Sequence, residues 1–316
     1  MHSNPRSRRP RPHRGRLSAC WALALIVGLF LGCGDDDEQS LRLVFYSDRD
    51  GDDEIYLMEA DGTGVQQLTN EPGRDYEPDG SPGGKSVLFA SQRQDGDNSH
   101  LYVMGIDGSD VRQLTFGGVA PDRQLDDYGE WSPDGDRIVF QRSIIPKDGK
   151  PYADVWLLDA KTGEERPLTD TREFWDSTPS VSADGESVLF ESNRSADFEI
   201  YRMPLEGGEA TRLTESPGPD SSAKESPDGK QVAFVSDRDG DFEVYVMDAD
   251  GSNVRQLTSN AERDGCPQWS PDGRRLVFYS ERDGDPEIYV MNADGSDQRR
   301  LTESPGRDQV ADWVEG

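Results

Sequence analysis

The chain has 316 residues, with 34 Lys and Arg against 63 Asp and Glu, and its formal net charge of −29 excludes nucleic acid and anionic membrane surfaces as electrostatic partners. Hydrophobic content of 33% is low but sufficient for short half-buried strands. Three cysteines and three histidines leave little material for a disulfide framework or a histidine-rich metal centre.

Residues 1–16 hold six Arg and no acid, and residues 17–32 form the apolar run LSACWALALIVGLFLG. That run is shorter than the ~20 residues that span a bilayer as a helix, so residues 1–32 are read as a secretory signal peptide. Leu31-Gly32-Cys33 resembles a lipobox, with Phe30 where such boxes usually carry Leu, which implies diacylglycerol on Cys33. Ser7-Arg8-Arg9 is followed by Pro10 and Arg11 instead of apolar residues, so export is read as Sec-type, not twin-arginine. Residues 33–40, including GDDDEQS, are then a lipid-attached acidic tether without apolar content. Processing would leave 28 basic against 63 acidic residues, a net charge of −35 that serves solubility. Cys20 would leave with the signal and Cys33 would carry the lipid. Cys266 is therefore unpaired and is read as a small buried filler.

From residue 41 onward the chain repeats. A Leu-Thr pair recurs at Leu68, Leu114, Leu168, Leu213, Leu257 and Leu301, with spacings of 46, 54, 45, 44 and 44 residues. The cleanest copy, residues 266–302, carries the turns SPDG, ERDGD and NADG between four short strands: one ending at Trp269, then 276–279, 287–291 and 298–302. A four-stranded unit with apolar residues on both faces cannot bury itself, and a period near 44 predicts radially stacked blades. Residues 41–316 are thus predicted to be an all-β, six-bladed β-propeller of four-stranded antiparallel blades. The first copy lacks its inner strand. Residues 310–314, VADWV, repeat that strand at the other end, so the C-terminal strand is expected to complete blade 1 and close the ring.

The consensus P-x-W-S-P-D-G, F-x-S-x-R-D-G, E-I-Y-V-M-x-A-D-G, R-x-L-T resembles the TolB-type, WD40-like propeller repeat of bacterial envelope proteins. The resemblance covers residues 41–316 and speaks to fold more than to activity. It implies an exported, periplasmic or surface protein that binds an envelope protein or peptide. Unlike TolB, the sequence carries no α/β domain ahead of its repeats. With the lipid on Cys33 as the membrane attachment, and Gly34 in place of the Asp that retains lipoproteins at the inner membrane, the outer membrane is favoured and a monomer expected.

Copies differ at informative places. Gly80, Val181 and Glu225 stand where Trp131, Trp269 and Trp313 fill the Trp position. Blade 2 is read as a degraded copy, the Trp residues as packing between blades, and Glu225 as turning to solvent or to Lys224. The S-x-R arginines Arg49, Arg93, Arg194, Arg238 and Arg282 recur with Glu54, Asp154, Glu199, Glu243 and Glu287 before the third strands. Recurrence in five copies predicts an architectural clamp with forked hydrogen bonds. His100, in place of that carboxylate in blade 2, is read as a surface substitution.

Strand alternation puts the SPDG and ADG turns on one face of the disc, and the second-to-third turns and blade connections on the other. Variation gathers on the second face, where residues 116–129 and 142–153 account for the spacing of 54 and DTREFWD follows. Loops on a rigid scaffold are where binding residues sit. The candidate partner-binding patch is Phe116, Arg123, Tyr128, Tyr152, Phe174 and Trp175, the alternative being that these aromatics fold back to cover the blade tops. Hairpins with Asp48, Asp50 and Asp52, and with Asp237, Asp239 and Asp241, carry alternating acids that would suit calcium, but lack the 12-residue span of an EF-hand; turn chemistry alone accounts for them. No cofactor, nucleophile motif or His cluster emerges. The reading is a non-catalytic protein- or peptide-binding scaffold, with a glycan-binding protein or a carboxylate- or divalent-metal-dependent polysaccharide lyase or hydrolase as the alternative.

Overall fold

The computed structural model describes residues 41–94, 96–118 and 122–315. The signal peptide, Cys33 and the acidic tether lie outside the described residues.

The described strands form six four-stranded antiparallel sheets, one per predicted blade. From blade 1 to blade 6 the inner strands are Asp308–Glu315, Asp75–Gly80, Arg123–Trp131, Asp176–Val181, Asp220–Glu225 and Asp264–Trp269. The C-terminal strand pairs with Leu41–Ser47, Leu43 opposite Trp313 and Arg42 opposite Val314, so the last residues of the chain complete the first blade. Outer strands such as Gln66–Gln67 and Arg299–Arg300 span two residues, shorter than the repeat suggested, which leaves little open edge for another chain to extend.

Alternation along each second strand decides the core. One fully buried Phe per blade, at 45, 89, 140, 190, 234 and 278, faces the aromatic opposite it on the third strand at ring-centroid distances of 5.6 to 6.4 Å. The S-x-R arginine lies over the same pair; in blade 1 the Arg49 guanidinium is 5.4 Å from the Phe45 ring and 4.7 Å from Tyr56. Its far edge forks onto Asp308 at 2.8 and 2.7 Å, while its Nε donates to Ser47 at 2.9 Å. Equivalent pairs are Arg93 with Asp75, Arg194 with Asp176, Arg238 with Asp220 and Arg282 with Asp264. The clamp predicted for five blades also holds in the sixth, where Arg142 bonds Asp126 at 2.6 and 2.9 Å. All six aspartates are fully buried near the start of an inner strand.

The carboxylates before the third strands are the second tie. The closing Thr donates to them, as Thr69 does to Glu54 and Thr258 to Glu243, both at 2.5 Å, and the same hydroxyl accepts the next backbone N–H. Burial and the neighbouring clamp aspartate push Glu54 and Glu243 up to about 7. Burial likewise raises Asp127 and Asp312 to about 6. A carboxyl group whose pKa is raised by folding adds stability that is complete below its unfolded value and is lost as pH climbs through its folded value. The melting temperature is therefore expected to rise as pH is lowered from about 8 to about 5, with Glu243→Gln flattening the slope. Calorimetry across that range checks it; a melting temperature independent of pH would contradict this account.

Several readings of individual residues need correction. His100 is 5% exposed, not on the surface, and its Nδ1 stands 3.7 Å from Asp126 of the next blade. Glu225 turns neither to solvent nor to Lys224: it pairs with Arg202 at 2.5 Å and accepts the Ala183 N–H at 2.8 Å, ionic ties across the blade 4 to 5 junction where other blades use indole. Gly80 is not degradation. A Cβ there would stand 3.0 Å from both the Trp313 carbonyl oxygen and the Val314 side chain, so blade 1 packs directly against the backbone at this position and leaves little room for a side chain. Gly80→Val should cost about 1 to 3 kcal/mol by overpacking, measurable by urea titration. Blade 3 also differs: its first strand already begins at Arg123, and its second and third run Arg137–Ile145 and Tyr152–Asp159, so much of the two insertions is strand, not loop.

Candidate functional site: the axial channel and the blade 3 rim

Each inner strand is broken by a β-bulge, and each bulge holds one non-glycine residue in the left-handed region: Glu77 (φ 53°), Tyr128 (52°), Thr178 (43°), Ser222 (52°), Cys266 (50°) and Val310 (44°). Left-handed φ is costly for β-branched Thr and Val, so the tertiary structure imposes it. The bulge turns these six side chains toward the axis, where they line a cavity of about 50 Å³ together with Asp79, Lys224, Gln268 and the intervening small or proline residues. Cys266 accordingly lines the channel while remaining partly buried against the core of blades 6 and 1, a small filler as read from the sequence. Burial, then Glu77, raises its thiol to about 11, away from reactivity.

Two residues further along each strand lies a second ring of Asp79, Glu130, Ser180, Lys224, Gln268 and Asp312. It staples the junctions in sequence. Asp312 accepts the Gly80 N–H at 2.8 Å, Asp79 that of Trp131 at 2.9 Å, and Glu130 that of Val181 at 2.9 Å. Ser180 donates to the Ala223 carbonyl at 2.7 Å. The indoles of Trp269 and Trp313 donate to the carbonyls of Lys224 at 3.0 Å and Gln268 at 3.1 Å, which brings the chain of bonds back to blade 1. Lys224 spans the channel to pair with Glu130. Burial opposes its charge, but Glu130, Asp79 and Asp312 outweigh that and raise its pKa. Burial, then the Asp312 and Glu130 charges, hold Asp79 well above the usual carboxylate range; burial and Asp127 do the same to Glu77, which accepts the Tyr128 N–H at 2.8 Å.

Because each inner strand starts at the blade connections and ends at an SPDG turn, the bulge ring lies nearer the connection face than the Asp79 ring does. That face carries the blade 3 extension. Arg123 and Tyr152 sit on it, opposite Ile145 and Ile144. Trp175 forms an isolated parallel bridge with Ala153, which places Phe174 and Trp175 beside Tyr152. Arg172 covers the Tyr152 ring at 5.9 Å, and Arg123 donates to the Asp97 carbonyl at 2.6 Å. Phe116 is 64% exposed. Tyr128 does not join this rim; it belongs to the channel ring. The six residues named from sequence thus divide between two neighbouring places.

Three of the six hairpin acids are occupied in other ways: Asp48 holds Arg307 at 2.7 Å, and Asp50 and Asp239 accept the hydroxyls of Tyr56 and Tyr245 at 2.7 and 2.6 Å. Among the described residues no group of three or more His, Cys, Asp and Glu stands ready to hold a metal ion. Sequence reasoning missed the channel altogether. The available signal was a position that differs in every copy, Glu77, Tyr128, Thr178, Ser222, Cys266 and Val310, always followed by Pro, Gly or Ala.

The model of the PD40 family, the TolB beta propeller domain, matches residues 37–144 and 215–315. The Tol-Pal system protein TolB of Francisella tularensis subsp. mediasiatica is 26% identical over 55% of this chain and 38% of its own length. An uncharacterized peptidase of Bacillus subtilis, YuxL, is 34% identical over 28% of this chain and 14% of its own. The chain spans less than half the length of these curated relatives. Among solved structures, TolB from Acinetobacter baumannii superposes with a TM-score of 0.73 at 20% identity, covering 88% of this chain and 67% of that one. A putative TolB from Agrobacterium tumefaciens gives 0.66 at 23%, covering 88% and 98%. An oligogalacturonate lyase in complex with manganese gives 0.56 at 19%, covering 82% and 73%. At these identities the superpositions speak to the fold.

Proposed function

This chain belongs to the TolB beta-propeller family, and from that premise we propose that it is a non-catalytic protein-binding scaffold of the cell envelope, exported and tethered through a lipid on Cys33. The observation that carries the reading is the asymmetry of the connection face. Blades 3 and 4 lengthen their second and third strands there, and blade 3 also starts its inner strand earlier, at Arg123, so that it rises with the exposed Phe116 on one flank and the partly buried Phe174 and Trp175 on the other. An aromatic rim beside a narrow channel mouth suits a protein surface that seats one side chain in the channel and packs others on the rim. A cavity of about 50 Å³ holds a few waters or the tip of one side chain, too little for a sugar ring. Arg172 already covers the Tyr152 ring that a glycan would stack on.

Affinity capture from solubilised envelope tests the reading, with the parent protein as bait beside two variants of intact fold, Phe116→Ala/Trp175→Ala on the rim and Tyr128→Ala in the channel. A protein enriched by the parent and depleted at least tenfold with either variant is expected, and the variant that loses it assigns the contact. Equal capture by all three baits would remove both places from the binding surface. Stabilisation by oligosaccharide without any captured protein would replace the scaffold reading with the glycan one.

A further inference from the structure

The second ring of the channel is out of charge balance. Asp79, Glu130 and Asp312 bring three carboxylates to the axis and Lys224 brings one ammonium, already paired with Glu130. Asp79 is only 9% exposed, yet its one hydrogen bond, from the Trp131 N–H to Oδ2, leaves Oδ1 without a partner among the described residues while the side chain lines the cavity. The buried Thr178 hydroxyl oxygen, which also lines the cavity, lacks a hydrogen-bond partner among the described residues, and the Gln268 side chain lines the same cavity. Burial and its acidic neighbours favour a proton on Asp79 over the bare charge, and a cation entering the cavity beside it would take that proton's place.

We propose that the channel of this propeller is a receptor for a single alkylammonium group, with Asp79 as its counterion and the Thr178 hydroxyl and Gln268 amide oxygen as its further acceptors. Three donors on a tetrahedral ammonium match three acceptors of this kind. The size of the cavity favours the ammonium over the planar and larger guanidinium, and the dispersal of the carboxylates, which among the described residues form no metal-holding group, disfavours a divalent cation. An alkyl chain carrying the ammonium, such as the four methylenes of lysine, would reach these acceptors past the bulge-ring side chains that line the same cavity. The inference rests on the scaffold reading only for the source of the group, a lysine of the bound protein; a free amine would fit the same acceptors.

The test is calorimetric titration of the purified protein with ethylammonium chloride, with tetramethylammonium chloride at equal ionic strength, and with a blocked Gly-Lys-Gly peptide and its acetyl-lysine counterpart. Ethylammonium should bind and tetramethylammonium should not, because the latter has no N–H to donate. Asp79→Asn keeps an acceptor for the Trp131 N–H while removing the charge, and should weaken binding at least tenfold with the fold retained by circular dichroism. Gln268→Glu, a second and opposite variant, should tighten it. Binding should weaken as pH is lowered, because the entering cation competes with a proton on Asp79, whose carboxyl is held above the usual range. Binding of the lysine peptide but not its acetylated form points to a protein source, and ethylammonium alone to a free amine; both support the proposal. Equal heats for ethylammonium and tetramethylammonium, or unchanged affinity in Asp79→Asn, would overturn it. Captured protein with no ammonium binding would sink this inference while the scaffold stands, and ammonium binding with no captured protein would do the reverse.

Discussion

Removal of residues 308–316 is expected to abolish the cooperative unfolding transition of the whole propeller, not merely to fray one end. Those residues are the inner strand of blade 1, and they bury Ala311, Trp313 and Val314 between blades. Their loss also releases Arg49 from Asp308, Gly80 from Asp312 and the Gln268 carbonyl from the Trp313 indole, so both junctions of blade 1 open at once. A ring has no spare contact to take over. Circular dichroism and urea titration of the truncated chain should show no native baseline, while Trp313→Ala, which keeps the strand, should lose about 3 to 5 kcal/mol and still fold. A truncated chain that melts within a few degrees of the parent would refute closure by the terminal strand.

The second large effect concerns Lys224. Replacing it by Met keeps the aliphatic stem but leaves Glu130, Asp79 and Asp312 facing one another across the channel without a cation. Breaking a buried pair from one side costs about 3 to 5 kcal/mol, and the lower end applies because both partners keep some contact with solvent. The sign of the pH response identifies the cause. Protonating the stranded carboxylates removes the repulsion, so the deficit of Lys224→Met should shrink between about pH 7.5 and 5.5. A deficit that does not change with pH would mean that lost packing, not charge, is responsible. The double variant with Glu130→Gln should recover part of the loss at neutral pH, which a denaturation series at fixed pH would measure.

How much could be read from the chain alone depended on what repeats. The blade count, the closure of the ring by the VADWV strand and the arginine clamp were legible because each is written five or six times, and turn residues such as SPDG act locally whatever surrounds them. The chain's order of turns also told which face collects the variable segments. Properties that depend on which strand or blade comes to lie alongside were not legible. The clamp aspartates lie elsewhere in the sequence from their arginines, 18 residues earlier in blade 5 and 259 residues away in blade 1. His100 and Glu225 looked like surface residues because their partners, Asp126 and Arg202, are brought to them only by the stacking of blades. Tyr128 looked like part of a loop, and the structure puts it in a strained bulge beside Glu77 at the axis. A single strand reports which residues alternate in and out. It cannot report what six such strands create where they converge, and there the channel, its stapled ring and the unbalanced charge of Asp79 are decided by geometry that exists only once the ring has closed.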